Sequence, residues 1–257
     1  MNKNAIIEHI TEWLNDYCDD SKMQGFVVGI SGGIDSALTS TLCALTGRKT
    51  LLVTMPIRQT QAEYDRAKHH ISDLLNRFNN IEALEINLTD AFTLLEQTLP
   101  ESSQKDHLTM ANVRSRLRMT TLYAVGQPNK CLVAGTGNKI EDFGVGFFTK
   151  YGDGGVDLSP IADLSKTQVR LLAEELNVIK EICEAAPTDG LWADGRTDED
   201  QIGATYPELE WAMSFNGKQE NLSERQKKVL VIYNRLNKIN QHKMIPIPVC
   251  KIPFELF

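Results

Sequence analysis

Four short apolar runs alternate with longer helical segments in the first half of the chain, and this alternation limits the folds open to it. The runs are Gly25-Phe26-Val27-Val28-Gly29-Ile30, Thr50 to Met55, Ala83 to Asn87 and Cys131 to Gly135. Their length and β-branching read as buried strands. Between and around them apolar residues recur at helical spacing. Asn4 to Asp19 carries Ile6, Ile10, Trp13, Leu14 and Tyr17 on one face, and Gln61 to Phe78 and Thr89 to Leu99 follow the same rule. A helix opening near Gly33 runs to Thr46 with Gly47 as its stop, and Asp106 is placed to cap a long helix to Val125. Nearly continuous apolar strands alternating with helices predict an α/β protein: a doubly wound, mostly parallel sheet with helices on both faces.

Beyond Gly135 the chain changes character. Gly144, Gly146, Gly152, Gly154 and Gly155 crowd one segment, together with Phe147, Phe148, Lys150 and Tyr151. Helices are expected again over Ser165–Leu176, Tyr206–Phe215 and Ser223–Gln241. No composition shift divides the 257 residues, so one domain is expected, with a core over about 25–180 and helical segments at either end. The five cysteines lack any Cys-x-x-Cys spacing, which predicts reduced, mostly buried thiols and a cytoplasmic protein. A net charge of −7 disfavours nucleic acid as a partner. No run of 18 apolar residues exists, so no membrane span is expected.

Ligands of open parallel sheets sit beyond the carboxyl ends of the strands, so the loop after the first strand is the place to look. Ser31-Gly32-Gly33-Ile34-Asp35-Ser36 opens a helix there. Adjacent glycines let backbone N–H groups approach a ligand, and the helix end adds partial positive charge, which makes an anion site. Asp35 is the odd member, because a carboxylate repels phosphate. A divalent cation between the two resolves the conflict, and Mg²⁺ favours that ligation. A Walker A lysine is missing, and the spacing fails the dinucleotide fingerprint.

The hexapeptide resembles the pyrophosphate loop of the N-type ATP pyrophosphatases, which cleave ATP between its α and β phosphates and adenylate a substrate. Further motifs follow in order: Gly135-Thr136-Gly137-Asn138-Lys139-Ile140-Glu141, Phe147-Phe148-Thr149-Lys150-Tyr151-Gly152-Asp153-Gly154-Gly155, Asp157-Leu158-Ser159-Pro160, Lys166-Thr167-Gln168-Val169-Arg170, Pro187-Thr188, Gly190-Leu191-Trp192 and Thr197-Asp198-Glu199-Asp200. From about residue 25 onward this set resembles the NAD synthetase family, and the length suits its ammonia-dependent form. The resemblance implies an adenine nucleotide alpha hydrolase-like (Rossmann-like) fold. It implies a ligase that uses ATP, Mg²⁺ and ammonia to amidate nicotinic acid adenine dinucleotide. It also implies a homodimer with sites near the subunit interface.

Site residues carry over as follows. Asp35 and Lys166 are the implied catalytic pair. Gly29, Ile30, Ser31, Gly32, Gly33, Ile34, Asp35, Ser36, Thr136, Lys166 and Thr188 are the implied ATP contacts. Asn112, Arg116, Lys150, Asp157, His242 and Lys243 are the implied contacts of the deamido dinucleotide, and Asp35 with Glu141 the implied Mg²⁺ ligands. One extra residue precedes Phe147 here, which leaves Asp142 as an alternative to Glu141. Plainer readings stand beside these: a surface His-Lys pair for His242 and Lys243, an ordinary first-turn lysine for Lys166, core packing for the aromatics. Arg114 and Arg118 are expected in solvent, as are His9, His69, His70, His107 and the acidic run Asp198-Glu199-Asp200. Arg58 sits where a nucleotide can reach it. The polar stretches Pro100–Asp106, expected to be mobile, and Pro187–Tyr206 are expected to order over bound nucleotides. Two competing functions remain: another acceptor for the same adenylation, and a sensor that binds ATP without turnover.

Overall fold

The computed structural model describes residues 1–187 and 197–257. Four strands, β1 (Gly25–Gly29), β2 (Lys49–Thr54), β3 (Ile81–Glu85) and β4 (Cys131–Val133), form one parallel sheet in the order β3-β2-β1-β4. Val27 of β1 lies beside Leu51 on one side and Val133 on the other. A parallel bridge between Ala134 and Leu158 extends the edge beyond β4. The chain runs outward from β1 to β3, then crosses back to place β4 on β1's other side. Such a reversal opens a crevice at the carboxyl ends of β1 and β4.

Helices cover both faces. α1 (Lys3–Asp20), α2 (Ile34–Leu45), α3 (Gln61–Arg77) and α7 (Lys166–Glu175) pack on one, with Leu14, Leu38, Leu74 and Leu172 in a single apolar cluster. α4 (Thr89–Thr98) and α6 (His107–Gly126) cover the other, where Phe92 and Met110 meet Val27, Leu51 and Val133. Asp106 caps α6 as its sequence position predicts, accepting from the Thr109 N–H at 2.7 Å. Within Pro100–Asp106, expected to be mobile, Glu101–Gln104 forms the short helix α5.

A third cluster stands apart from the sheet. Beyond the short helices α8 (Lys180–Cys183) and α9 (Asp198–Ile202), α10 (Tyr206–Ser214) and α11 (Glu224–Met244) enclose Tyr206, Leu209, Val229 and Leu230. Ile140 and Val145 join them from a π-helical turn over Ile140–Val145. The crevice therefore has a sheet wall and a helical wall. Among the described residues no helix is long and apolar enough to cross a membrane. All five cysteines are free, and Cys18, Cys43 and Cys131 are buried as expected.

Candidate active site

The loop after β1 is held shut by its own hydroxyls. Ser36 Oγ donates to the Gly33 carbonyl at 2.9 Å and lies 3.1 Å from Ser31 Oγ. The Gly33 N–H donates to Ser31 Oγ at 3.2 Å. Gly32 has φ +83°, and a Cβ there would collide with the Glu63 carbonyl oxygen, so only glycine fits. α2 starts at Ile34 with Gly33 as its cap and no side chain on its first N–H groups. That end of the helix faces the crevice with donors in hand.

Asp35, in the first turn of α2, reaches across to two other elements. Its Oδ2 accepts from Lys166 Nζ at 2.5 Å, and its Oδ1 accepts from Asn138 Nδ2 at 3.2 Å. Lys166 opens α7, which Ser165 and Gln168 cap reciprocally. Its Nζ also donates to Glu141 Oε1 at 3.1 Å. Lys166 is only 2% exposed. Burial alone would lower its pKa, but the charges of Asp35 and Glu141 outweigh it and hold the ammonium well above its ordinary range. An ordinary first-turn lysine does not fit this setting.

Glu141 is supported in turn. Tyr206 Oη donates to Glu141 Oε1 at 2.5 Å, and the Tyr206 ring lies 4.7 Å from the Lys166 ammonium. Burial raises the phenol pKa first, and the charges of Glu141 and Asp198 add to it, so Tyr206 stays a donor. Asn138 is fully buried and ties the π turn to Asp35: its Oδ1 accepts from the Ile140 and Glu141 N–H groups at 3.1 and 3.2 Å. Asp142 packs against Gly137, and burial, then the charges of Glu141, Asp153 and Asp35, push its carboxyl up to about 8. Of the two acids, Glu141 is the one facing Asp35 across Lys166.

The other end of the crevice is the glycine-rich segment. Asp153 Oδ1 accepts from Ser115 Oγ at 2.6 Å and from the Thr149 N–H at 3.0 Å, and Thr149 Oγ1 donates to Asn112 Oδ1 at 2.6 Å. These bonds dock the segment on α6. Arg116 Nε donates to the Lys150 carbonyl at 3.2 Å, and Lys150 Nζ to the His242 carbonyl at 2.6 Å. Lys243 Nζ donates to the Gly146 and Phe148 carbonyls, the latter at 2.7 Å. Asp157 binds the sheet edge, accepting from the Val133 N–H at 2.8 Å and Tyr123 Oη at 3.0 Å. Thr136 follows the end of β4, partly open to solvent. Thr188, with Gly190-Leu191-Trp192, lies outside the described residues.

Several expectations are corrected. His70 is not on the surface: it is fully buried, with Nε2 2.9 Å from Ser40 Oγ. Asp198 is 5% exposed and lies 3.3 Å from Tyr206 Oη, because the capping box of Thr197 and Asp200 turns it inward. Arg118 leans onto the sheet, where Nε donates to the Met55 carbonyl at 3.1 Å and burial lowers its pKa to about 10. Arg114 stacks over Phe92 at 5.5 Å. Arg58 keeps its expected exposure and donates to Thr93 and to Glu96 at 2.8 Å. Tyr206 and Asn138 went unassigned because their spacing in sequence carries no signal of the contacts they make.

The comparisons with known proteins agree with this geometry. A family model for NAD synthase matches residues 6–246. An ammonia-dependent NAD⁺ synthetase of Mesoplasma florum is 35% identical, over 95% of this chain and 95% of its own. A solved structure of NMN synthetase from Francisella tularensis superposes with a TM-score of 0.86 at 33% identity, covering 99% of both chains. An ammonia-dependent NAD synthetase of Campylobacter jejuni, 24% identical, superposes at 0.79 over 98% of this chain and 100% of that one, and shares the fold. The chain belongs to the NAD synthase family.

Proposed function

We propose that the chain is a ligase that converts nicotinic acid adenine dinucleotide to its amide, using ATP and ammonia. The observation that carries this reading is Lys166, buried between Asp35 of the glycine loop and Glu141 of the π turn. Three segments distant in sequence converge there, at the carboxyl end of the parallel sheet.

Ammonia cannot displace oxide from a resonance-stabilised carboxylate, so the acid needs activation. A nicotinate oxygen attacks the α-phosphorus of ATP, the bond to the bridging oxygen breaks, and pyrophosphate leaves. The nitrogen lone pair of ammonia then attacks the acyl carbon, AMP departs with the electrons of the C–O bond, and the nitrogen sheds a proton. The protein supplies position and charge rather than covalent chemistry. The glycine loop and the first turn of α2 offer N–H groups to the departing pyrophosphate. Lys166 offers a cation to the same phosphates. Arg116, Lys150, Asp157, His242 and Lys243 line the acceptor end, with Asn112 fixing the segment that carries Lys150.

Asp35 and Glu141 form an oxygen-only pair with no histidine or cysteine, and among the described residues no group of three metal-ligating side chains exists. Mg²⁺ suits such a site, because it takes one or two carboxylates and completes its shell with phosphate oxygens and water. These two residues would hold it, and the ion would offset phosphate charge. A homodimer fits the tail after α11, where Ile247, Val249, Phe254 and Phe257 are exposed. The free thiols fit a cytoplasmic, single-domain enzyme.

One comparison favours a second acceptor. The Francisella NMN synthetase matches this chain at 33% identity, close to the 35% of the Mesoplasma NAD⁺ synthetase, so the mononucleotide acid is the acceptor to test beside the dinucleotide. The mononucleotide acid carries the same nicotinate carboxyl and lacks the second nucleoside. Product analysis with ATP, Mg²⁺, either acid and either ammonium or glutamine is the test. Equal amounts of NAD, AMP and pyrophosphate with ammonium, and little with glutamine, support the first reading. A higher kcat/KM on the mononucleotide supports the second. AMP release with neither amide sends the adenylation to another acceptor, and bound ATP without AMP release leaves a sensor.

A further inference from the structure

Two side chains without an assigned role hold the glycine loop from behind. Gln59, just before α3, donates through Nε2 to the Ser31 carbonyl at 3.2 Å. Arg66, one turn into α3, donates through Nε to the Gly32 carbonyl at 3.2 Å. The backbone of α3 lies directly beneath, since the Glu63 carbonyl is what forbids a Cβ at Gly32. No described carboxylate forms an ion pair with Arg66, so an ion pair does not account for it.

The peptide bonds here are trans. In a trans peptide the C=O and the N–H that follows point in opposite directions. A donor fixed on the Ser31 carbonyl therefore aims the Gly32 N–H away from α3, and one on the Gly32 carbonyl turns the Gly33 N–H the same way, onto the Ser31 hydroxyl at 3.2 Å. Both N–H groups belong to the loop read above as the pyrophosphate site. Adjacent glycines have no Cβ to hold a peptide plane, so an untethered Gly-Gly loop populates several orientations. An anion site built of N–H groups works only when those groups converge before the anion arrives.

We propose that Arg66 and Gln59 are positioning residues that fix the two peptide planes of the glycine loop, so that the Gly32 N–H and the hydroxyl held by the Gly33 N–H face a phosphate anion. Arg66 acts as a hydrogen-bond donor at one point in space and not as a phosphate-binding cation. This deepens the reading of the loop as a pyrophosphate site and rests on it.

The bonding atom makes the two roles separable. Gln Nε2 stands the same number of bonds from Cα as Arg Nε. Arg66→Gln therefore keeps the donor and drops the charge. Arg66→Lys keeps the charge and puts a carbon where the donor was, and Arg66→Met keeps only the length. Inorganic pyrophosphate and ATP, each with Mg²⁺, would be titrated into the full chain by calorimetry, with urea unfolding to show each variant folded. Arg66→Met and Arg66→Lys are expected to bind both about tenfold more weakly, the scale of one hydrogen bond. Arg66→Gln is expected to stay near the parent, and Gln59→Met to weaken both ligands. Lysine rescue with glutamine failure overturns the latch in favour of a direct charge contact. Parent-like binding by Arg66→Met and Gln59→Met overturns it while the loop reading stands. A parent chain that binds neither ligand overturns the loop reading and the latch together.

Discussion

The two ends of the crevice are built on different principles. At the glycine loop, charged side chains meet charged side chains: Asp35, Lys166 and Glu141 are buried together and supported by Asn138 and Tyr206. At the glycine-rich segment the cations meet backbone carbonyls. Arg116 holds Lys150, Lys150 holds the end of α11, and Lys243 holds Gly146 and Phe148. A buried ion knot is costly to break, because the group left behind stays desolvated and unpaired. Lys150, whose carbonyl partner is exposed, gives up little when a phosphate or carboxylate takes its place. On the proposed function, the nucleotide end is organised ahead of its ligand, and the acceptor end trades its internal bonds for substrate.

Lys166→Met should break the contrast most severely. Asp35 and Glu141 would then face each other inside the protein without their cation. We expect kcat/KM to fall about 10³-fold, with a loss of about 3 kcal/mol in urea unfolding. Lys166→Arg, which keeps the charge, should recover part of both. A fall of less than tenfold in activity for the Met variant would mean that this knot does not organise the chemistry.

His70 sharpens the same contrast through pH. Burial lowers its pKa to about 4, with smaller effects of Asp73 and Arg77, while the unfolded chain titrates at the ordinary value of 6.5. Between those values the unfolded state binds the proton and the folded state does not. Stability therefore rises with pH across pH 4 to 6.5 and is fully present above that window. The ordering contributes about 3 kcal/mol lost between pH 7 and pH 4. His70→Gln keeps a partner for Ser40 and should flatten that slope in urea titrations. An unchanged slope would place the acid sensitivity elsewhere.

The sheet was legible because strand signals are local: Phe26-Val27-Val28 and Leu51-Leu52-Val53 are apolar, branched and short, and parallel strands need no more. The glycine loop was legible for the same reason, since its hydroxyls and glycines act within six residues. The members of the knot, Asp35, Lys166 and Glu141, came only from the family resemblance, and spacing could not show their contacts, because Lys166 and Asp35 are 131 residues apart. His70 and Asp198 misled for a related reason. A polar residue reads as solvent-facing until a distant partner appears, here Ser40 for one and Tyr206 for the other. Arg118 sits on a helix whose apolar periodicity is weak, and only the Met55 carbonyl reveals which way it turns.

At the acceptor end the effects should be smaller and should divide by substrate. Lys150→Met and Lys243→Met are expected to raise KM for the acid about tenfold, the scale of one charge-assisted contact, and to leave KM for ATP within twofold. A matching rise in KM for ATP would show that the two ends are coupled rather than separately built. Asp157 gives the smallest and most discriminating case, because its carboxylate already serves the sheet edge through Val133 and Tyr123. Asp157→Asn keeps an acceptor oxygen for the Val133 N–H and drops the charge. If Asp157 only holds the edge, the Asn variant should match the parent in stability and in KM, and Asp157→Ala should cost about 1 kcal/mol. If it also binds the acceptor, KM for the acid should rise in both variants while stability falls in the Ala variant alone. One carboxylate then does the work of both regions: it closes the sheet and meets the substrate.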